Sequence, residues 1–395
     1  MTTQTKTNWQ QMRFKDFADT SPSVKLEREK EYPFIPMDVV DGQRKFPVEI
    51  KRKKFSGGGA KFANGDTIFA RITPCLENGK IAMIKNLEEG VGFGSTEFFV
   101  FRGKDEVSDS DFVYYLSRTD TIRDPAIKSM VGASGRQRAD KSVVENLEIL
   151  VPSLSKQRDI SDVLSTYDNL IENNTRRIQI LEQIAQAIYK EWFVNFRFPG
   201  HEKVKMIDSG TDFAKIPDGW EVKSIRDIFT VKYGKNLPKT KITESGEYPV
   251  YGAGGVIGFY SEKNVDEKTA LIISRGNGSG TVWRTKGAGF VTNNSFTVVG
   301  NDEHLYLDMS FIYNSLLNAN IRSSISGSAQ PQVTINSLNY VQVIVPEKNL
   351  VESFQSEIYP LYILVDKLFM VNQNLSQTRD LLLPKLVTGE INIKN

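Results

Sequence analysis

At 395 residues the chain has room for two or three domains with proper cores, and 39% hydrophobic and 25% charged residues are the proportions of an ordinary globular protein. Lys and Arg total 50 against 48 Asp and Glu, so net charge gives no general pull toward nucleic acid, and any such pull must come from clustering. A single cysteine, Cys75, excludes a disulfide framework; MTTQTKTNWQ has no apolar leader, and no uncharged apolar run approaches the ~20 residues of a membrane span, so a cytoplasmic protein is expected.

In chain order, Trp9 and MRFKDFADTS lead into strand-like pieces rich in Gly and Asn. RKFPVEIKRKKF (44–55) packs six Lys/Arg into twelve residues, and ARITPCLENGK (70–80) sets Arg71 and Lys80 around a proline turn. GSTEFFVFRGKDE (94–106) follows, then GASGRQRADKSVVENLEILVP (132–152): a small-residue turn, a polar stretch with Gln, and an alternating apolar run ending in Val-Pro. Next, steps of 4 and 3 pick out Ile160, Leu164, Tyr167, Ile171, Asn174, Ile178, Leu181, Ala185 and Ile188, a heptad seam on a long helix. Residues 195–217 read as a linker.

The pattern then repeats. Trp220 stands in GWEVKSIRDIFTV, NNSFTVVGNDE (293–303) loosely matches 94–106, and SGSAQPQVTINSLNYVQVIVP (326–346) ends in Val345-Pro346, 194 positions after Val151-Pro152. Adding 194 to the first seam gives Phe354, Ile358, Leu361, Val365, Leu368, Asn372, Leu375, Arg379 and Leu382. Two such seams predict that the helices pair as a coiled coil, with Asn174 and Asn372 fixing register at a cost in stability. Arg379 on the seam predicts fraying at that end. The competing reading is two separate amphipathic helices, each packed on its own domain.

Residues that would support catalysis are scarce. PDGWEVK (217–223) has the residue kit of a metal-dependent nuclease, but only Gly219 and Trp220 separate Asp218 from Glu221. Such a site needs its carboxylates on two strands converging on one metal, so this is a turn opening a domain. His201, His304 and one cysteine cannot form a usual zinc site. The glycine runs at 57–59, 251–260 and 275–280 complete no phosphate-loop motif, and no Asn-Pro-Pro-aromatic methyltransferase motif occurs. The expectation is a binder with no catalytic residues and no metal. Basic clusters beside Gly-rich turns recur in both halves (GRQRADK in one, VKYGKNLPKTK and SRGNGSGTVWRTK in the other), which favours duplex DNA. A helix over 160–188 would be about 43 Å long, roughly thirteen base pairs of DNA. Antiparallel pairing of the helices predicts a ruler between two reading domains.

Taken together, GDTIFARITPCLENGK (65–80), IAQAIYKEWFVNFRFPGHE (184–202), IPDGWEVKSIRDI (216–228) and LLLPKLVTGEI (381–391) make the whole chain resemble the specificity subunit of type I restriction–modification enzymes. The resemblance implies an α+β fold: two mixed α/β target recognition domains joined by two long helices in an antiparallel coiled coil, with a pseudo-twofold internal repeat. It places an N-terminal segment at 1–22, the recognition domains at 23–152 and 206–346, and the helical conserved regions at 153–205 and 347–395. It implies a non-catalytic subunit that reads a split, asymmetric site in double-stranded DNA. Two methyltransferase subunits using S-adenosylmethionine, and restriction–translocase subunits using ATP, would be its partners; the subunit itself would hold no cofactor.

Side-chain chemistry nominates Arg71, Thr73, Asn78, Lys80, Arg136, Gln137 and Arg138 as base contacts in the first half. In the second half it nominates Ser274, Arg275, Asn277, Ser279, Gln330 and Gln332. A glycine-flanked Ser or Asn equally fits a turn-stabilising hydrogen bond, and each Arg or Lys a phosphate contact or a solvated charge. Where the second copy has Gln-Pro-Gln, the first has GRQRA. The rival function is a two-domain coiled-coil adaptor that binds proteins rather than DNA; a self-sufficient nuclease or methyltransferase is a third reading.

Overall fold

The computed structural model describes residues 9–393 except 134, 277, 328 and 329. The chain divides into two compact units, Met1–Thr175 with Met370–Asn395, and Arg176–Phe369.

In the first unit, Gln10–Arg13 pairs antiparallel with Glu148–Val151. An antiparallel sheet runs in the order Ala18–Asp19, Phe98–Gly103, Thr67–Ala70, Ile81–Met83. A mixed sheet is ordered Lys51–Lys54, Glu31–Ile35, Val91–Gly94, Ala60–Ala63, with the middle pair parallel. The second unit repeats the scheme. Glu221–Ser224 pairs with Gln342–Val345, and the antiparallel sheet is ordered Phe229–Tyr233, Ser295–Gly300, Ala270–Ile273, Val282–Arg284. Its mixed sheet is Val256–Tyr260, Tyr248–Tyr251, Phe290–Val291, again with a parallel pair. TIFA at 67–70 and ALII at 270–273 are buried at every position, as expected of strands covered on both faces. A short helix follows each antiparallel sheet, Ser110–Ser117 and Met309–Asn318, started by Asp109 and Asp308, whose carboxylates accept backbone N–H groups of the first turn.

Both long helices form, Leu154–Tyr189 and Lys348–Val387, and each is shared between the units. In the first unit Asp168 meets Arg379 and Asn174 meets Asn372, so the chains run in opposite directions. In the second unit Glu182 and Asp366 both reach Arg284, while the ring of Tyr189 lies 5.7 Å from Phe354, again antiparallel. Ile160, Leu164, Ile171, Asn174, Phe354, Ile358, Val365 and Leu368 are buried. Tyr167, Ile178, Leu181, Ile188, Leu361, Asn372, Leu375 and Leu382 are half-buried, and Tyr362, Leu383 and Leu386 are buried next to them.

Two expectations are corrected. The repeat offset of 194 holds for the strands that end in Val-Pro but not for the helices. Gln157 accepts the Asp109 N–H at 2.9 Å and donates to Val107 O; Gln355 does the same for Asp308, at 2.8 Å, and Tyr306 O. These equivalents are 198 positions apart, as are the mutually bonded Asn174 and Asn372. The four extra residues add about one helical turn, which keeps the apolar stripe on the same face and hides the shift from a periodicity count. Nor does Arg379 fray the pair. Its side chain is 1% exposed and reaches Asp168 at 2.6 Å and the Gln43 carbonyl at 3.1 Å, and Leu383, Leu386 and Val387 beyond it are buried.

Candidate nucleic-acid interface

In the first unit the strand Thr67–Ala70 runs out into Arg71 and the 72–80 turn, which meets Arg138 through the isolated bridge Ile72–Arg138, while a second bridge pairs Arg138 with Val131. Three backbone bonds fix the junction: Arg71 N–H to Glu97 O (3.0 Å), Ala139 N–H to Arg71 O (2.8 Å) and Thr73 N–H to Gln137 O (2.9 Å). Over this frame the Glu97 carboxylate takes both Nε (2.9 Å) and Nη2 (2.7 Å) of Arg138, and Nε of Arg71 at 3.2 Å. Bonding from Arg138 foremost, then from Arg71, holds the Glu97 carboxyl below the usual carboxylate range despite opposing desolvation. The Arg71 guanidinium also lies over the Phe99 ring, 5.6 Å from its centroid.

The other nominated residues of this half scatter. Thr73 donates its hydroxyl to Glu77 at 3.0 Å. Lys80 turns back to the Met37 carbonyl at 2.9 Å. Asn78 is exposed and borders a polar cavity of about 350 Å³ with Arg118, Arg123 and Asp380. Arg136 is exposed and Gln137 half-buried beside the junction. The structure therefore gathers Arg71, Gln137 and Arg138, with Thr73 through its backbone, and leaves Asn78 and Lys80 apart.

The second unit builds the same junction from other side chains. Ser274 N–H donates to Asn294 O (2.8 Å), Val333 N–H to Ser274 O (2.9 Å) and Gly276 N–H to Pro331 O (3.1 Å), with bridges Arg275–Gln332 and Ser326–Gln332. Ser274 thus occupies the place of Arg71, Asn294 that of Glu97 and Gln332 that of Arg138. Ser274 and Ser279 are buried, and Ser279 donates its hydroxyl to Pro331 O at 2.7 Å. Arg275, Gln330 and Gln332 are exposed on the rim, while Asn277 lies outside the described residues.

A domain-family model described as the type I restriction modification DNA specificity domain matches residues 6–183 and 217–360. The chain belongs to that family. It is 28% identical to the type I restriction enzyme MjaIX specificity subunit of Methanocaldococcus jannaschii over 72% of this chain and 70% of that one. It is 20% identical to the MjaVIII specificity subunit of the same organism over 98% of this chain and 94% of its length. The crystal structure of a type I restriction–modification S subunit from M. genitalium covers 100% of this chain and 99% of its own, at TM-score 0.54 and 20% identity, a likeness of fold. The matched relatives are named as specificity subunits. PDGWEVK is an opening turn: Gly219 has φ +87°, a Cβ there would meet the Glu347 carboxylate at 2.6 Å, and Lys223 pairs with Glu221 at 2.7 Å. Among the described residues no group of three or more His, Cys, Asp or Glu is placed to hold a metal ion, and no helix is long and apolar enough to cross a membrane.

Sequence reading missed Glu97 and Phe99, on which the first junction is built, and the clamps Gln157 and Gln355. The one available signal was the loose match of 94–106 with 293–303, which sets Glu97 beside Asn294.

Proposed function

We propose that this specificity subunit reads a split, asymmetric DNA site, one half through each unit, and positions two methyltransferase subunits and the restriction–translocase subunits on it. One observation carries the reading: two junctions with the same backbone bonds bear unlike side chains, Arg71, Glu97 and Arg138 against Ser274, Asn294 and Gln332. A common frame with different hydrogen-bonding groups is what reading two different short sequences requires. The recognition domains correspond to 23–152 and 206–346, the conserved helical regions to 153–205 and 347–395. The chain holds no cofactor of its own; S-adenosylmethionine and ATP serve the partner subunits, and the complex works in the cytoplasm.

A salt titration of duplex binding tests this. The logarithm of affinity should fall linearly with log salt, by about 0.9 for each phosphate neutralised. A coiled-coil adaptor for proteins predicts no duplex affinity of that kind, and finding none would refute the proposal. The purified chain, given divalent metal or methyl donor, should neither cut nor methylate DNA.

A further inference from the structure

In the first junction the two arginines are engaged differently. Arg138 spends its Nε and Nη2 on Glu97, and its Nη1 points at the Arg136 carbonyl at 3.4 Å. Arg71 gives Glu97 only its Nε, at 3.2 Å, so its terminal Nη1 and Nη2 make no hydrogen bond among the described residues. The Arg71 side chain is 34% exposed and its guanidinium lies over the Phe99 ring, 5.6 Å from the centroid. The result is a guanidinium fixed from the side and from below, with its end-on fork free. That fork matches the O6 and N7 acceptors of guanine in the major groove. Glu97 is poorly suited to read a base itself. Its side chain is only 20% exposed, and both carboxylate oxygens already accept from arginines.

From this geometry we infer that Glu97 is a specificity-determining positioning residue, which holds Arg71 to read a guanine in the half-site of the first unit. The inference rests on the DNA-reading function proposed above. Without the carboxylate, Arg71 would lose its lateral anchor and swing as a flexible cation, able to neutralise phosphate but not to select a base. The second unit supplies the contrast: Ser274 and Asn294 stand at the equivalent positions, and among the described residues neither side chain bonds an arginine.

The test is selection from a pool of duplexes randomised at both half-sites, using the full chain and its Glu97→Gln, Glu97→Asp, Arg71→Lys and Asn294→Ala variants. Glu97→Gln and Arg71→Lys should each lower the guanine preference at one and the same base pair by about 10- to 100-fold. Their combination should go no further than either alone, because both break one device. Glu97→Asp should restore part of the preference, which a merely structural role for the carboxylate would not produce, and Asn294→Ala should leave that base pair untouched. Even weakening on all sequences, with base preferences kept in both Glu97→Gln and Arg71→Lys, would overturn the inference and mark Arg71 as a phosphate contact. Enrichment of no sequence by the unaltered chain would instead bring down the DNA-reading proposal and this inference together.

Discussion

The two units share their joints but not their charges. In both, a glutamine near the start of a long helix, Gln157 or Gln355, clamps the loop that starts the short helix, through the same backbone groups. The shift of 198 also makes Asp168 the counterpart of Asp366. Asp168 takes its cation from the other long helix, through Arg379 at 2.6 Å, and the Tyr115 hydroxyl at 2.6 Å. Asp366 takes its cations from the sheet region, Arg284 at 2.9 Å and Lys268 at 2.6 Å. A carboxylate kept out of water must be matched, but the matching group can come from any neighbouring element. Hydrogen bonds that set backbone geometry are harder to reroute, so the clamps stay alike while the ion pairs and the loop side chains have drifted apart.

Substitutions in each unit sharpen that contrast. Arg379→Ala should be the most damaging, because it leaves Asp168 buried with one tyrosine hydroxyl. A loss of about 3–5 kcal/mol is expected in urea denaturation of the full chain, and a loss under about 1 kcal/mol would mean water reaches the carboxylate. Arg284→Ala should cost less, about 1–3 kcal/mol, because Lys268 still covers Asp366. A cost equal to that of Arg379→Ala would show that the sheet-side partners act as one unit. The clamps differ in burial: Gln157 is 1% exposed, whereas Gln355 is half-buried. Gln157→Ala should therefore lose about 1–3 kcal/mol and Gln355→Ala about 0.5–1.5 kcal/mol. The reverse order, in thermal or chemical unfolding, would contradict the reading of the two clamps as one joint at different depths.

Much of the scaffold was legible in the sequence because it rests on short-range regularities. The Val-Pro exits marked the last strand of each copy, and the 4-and-3 spacing marked both long helices. The four-residue shift between the helices escaped notice because a single turn barely rotates the apolar stripe. Arg379 was misjudged for a different reason. A seam position reveals that a charge faces inward, but not that Asp168 and the Gln43 carbonyl wait for it there. The candidate interface was only half visible. Arg71 and Arg138 stood out as donors, yet their organiser, Glu97, acts by joining two loops separated by about sixty residues of chain. Such a meeting is a property of the tertiary fold and leaves no local spacing to read.

The central claim is that two unlike reading surfaces stand on one repeated scaffold. Its most direct measurement is a genome-wide map of methylated bases in cells that express the chain together with a type I methyltransferase subunit it binds. The account predicts a motif of two dissimilar short halves separated by a fixed unread gap, with substitutions at the 71–97–138 junction altering one half alone. A continuous motif, or a palindrome with identical halves, would contradict it.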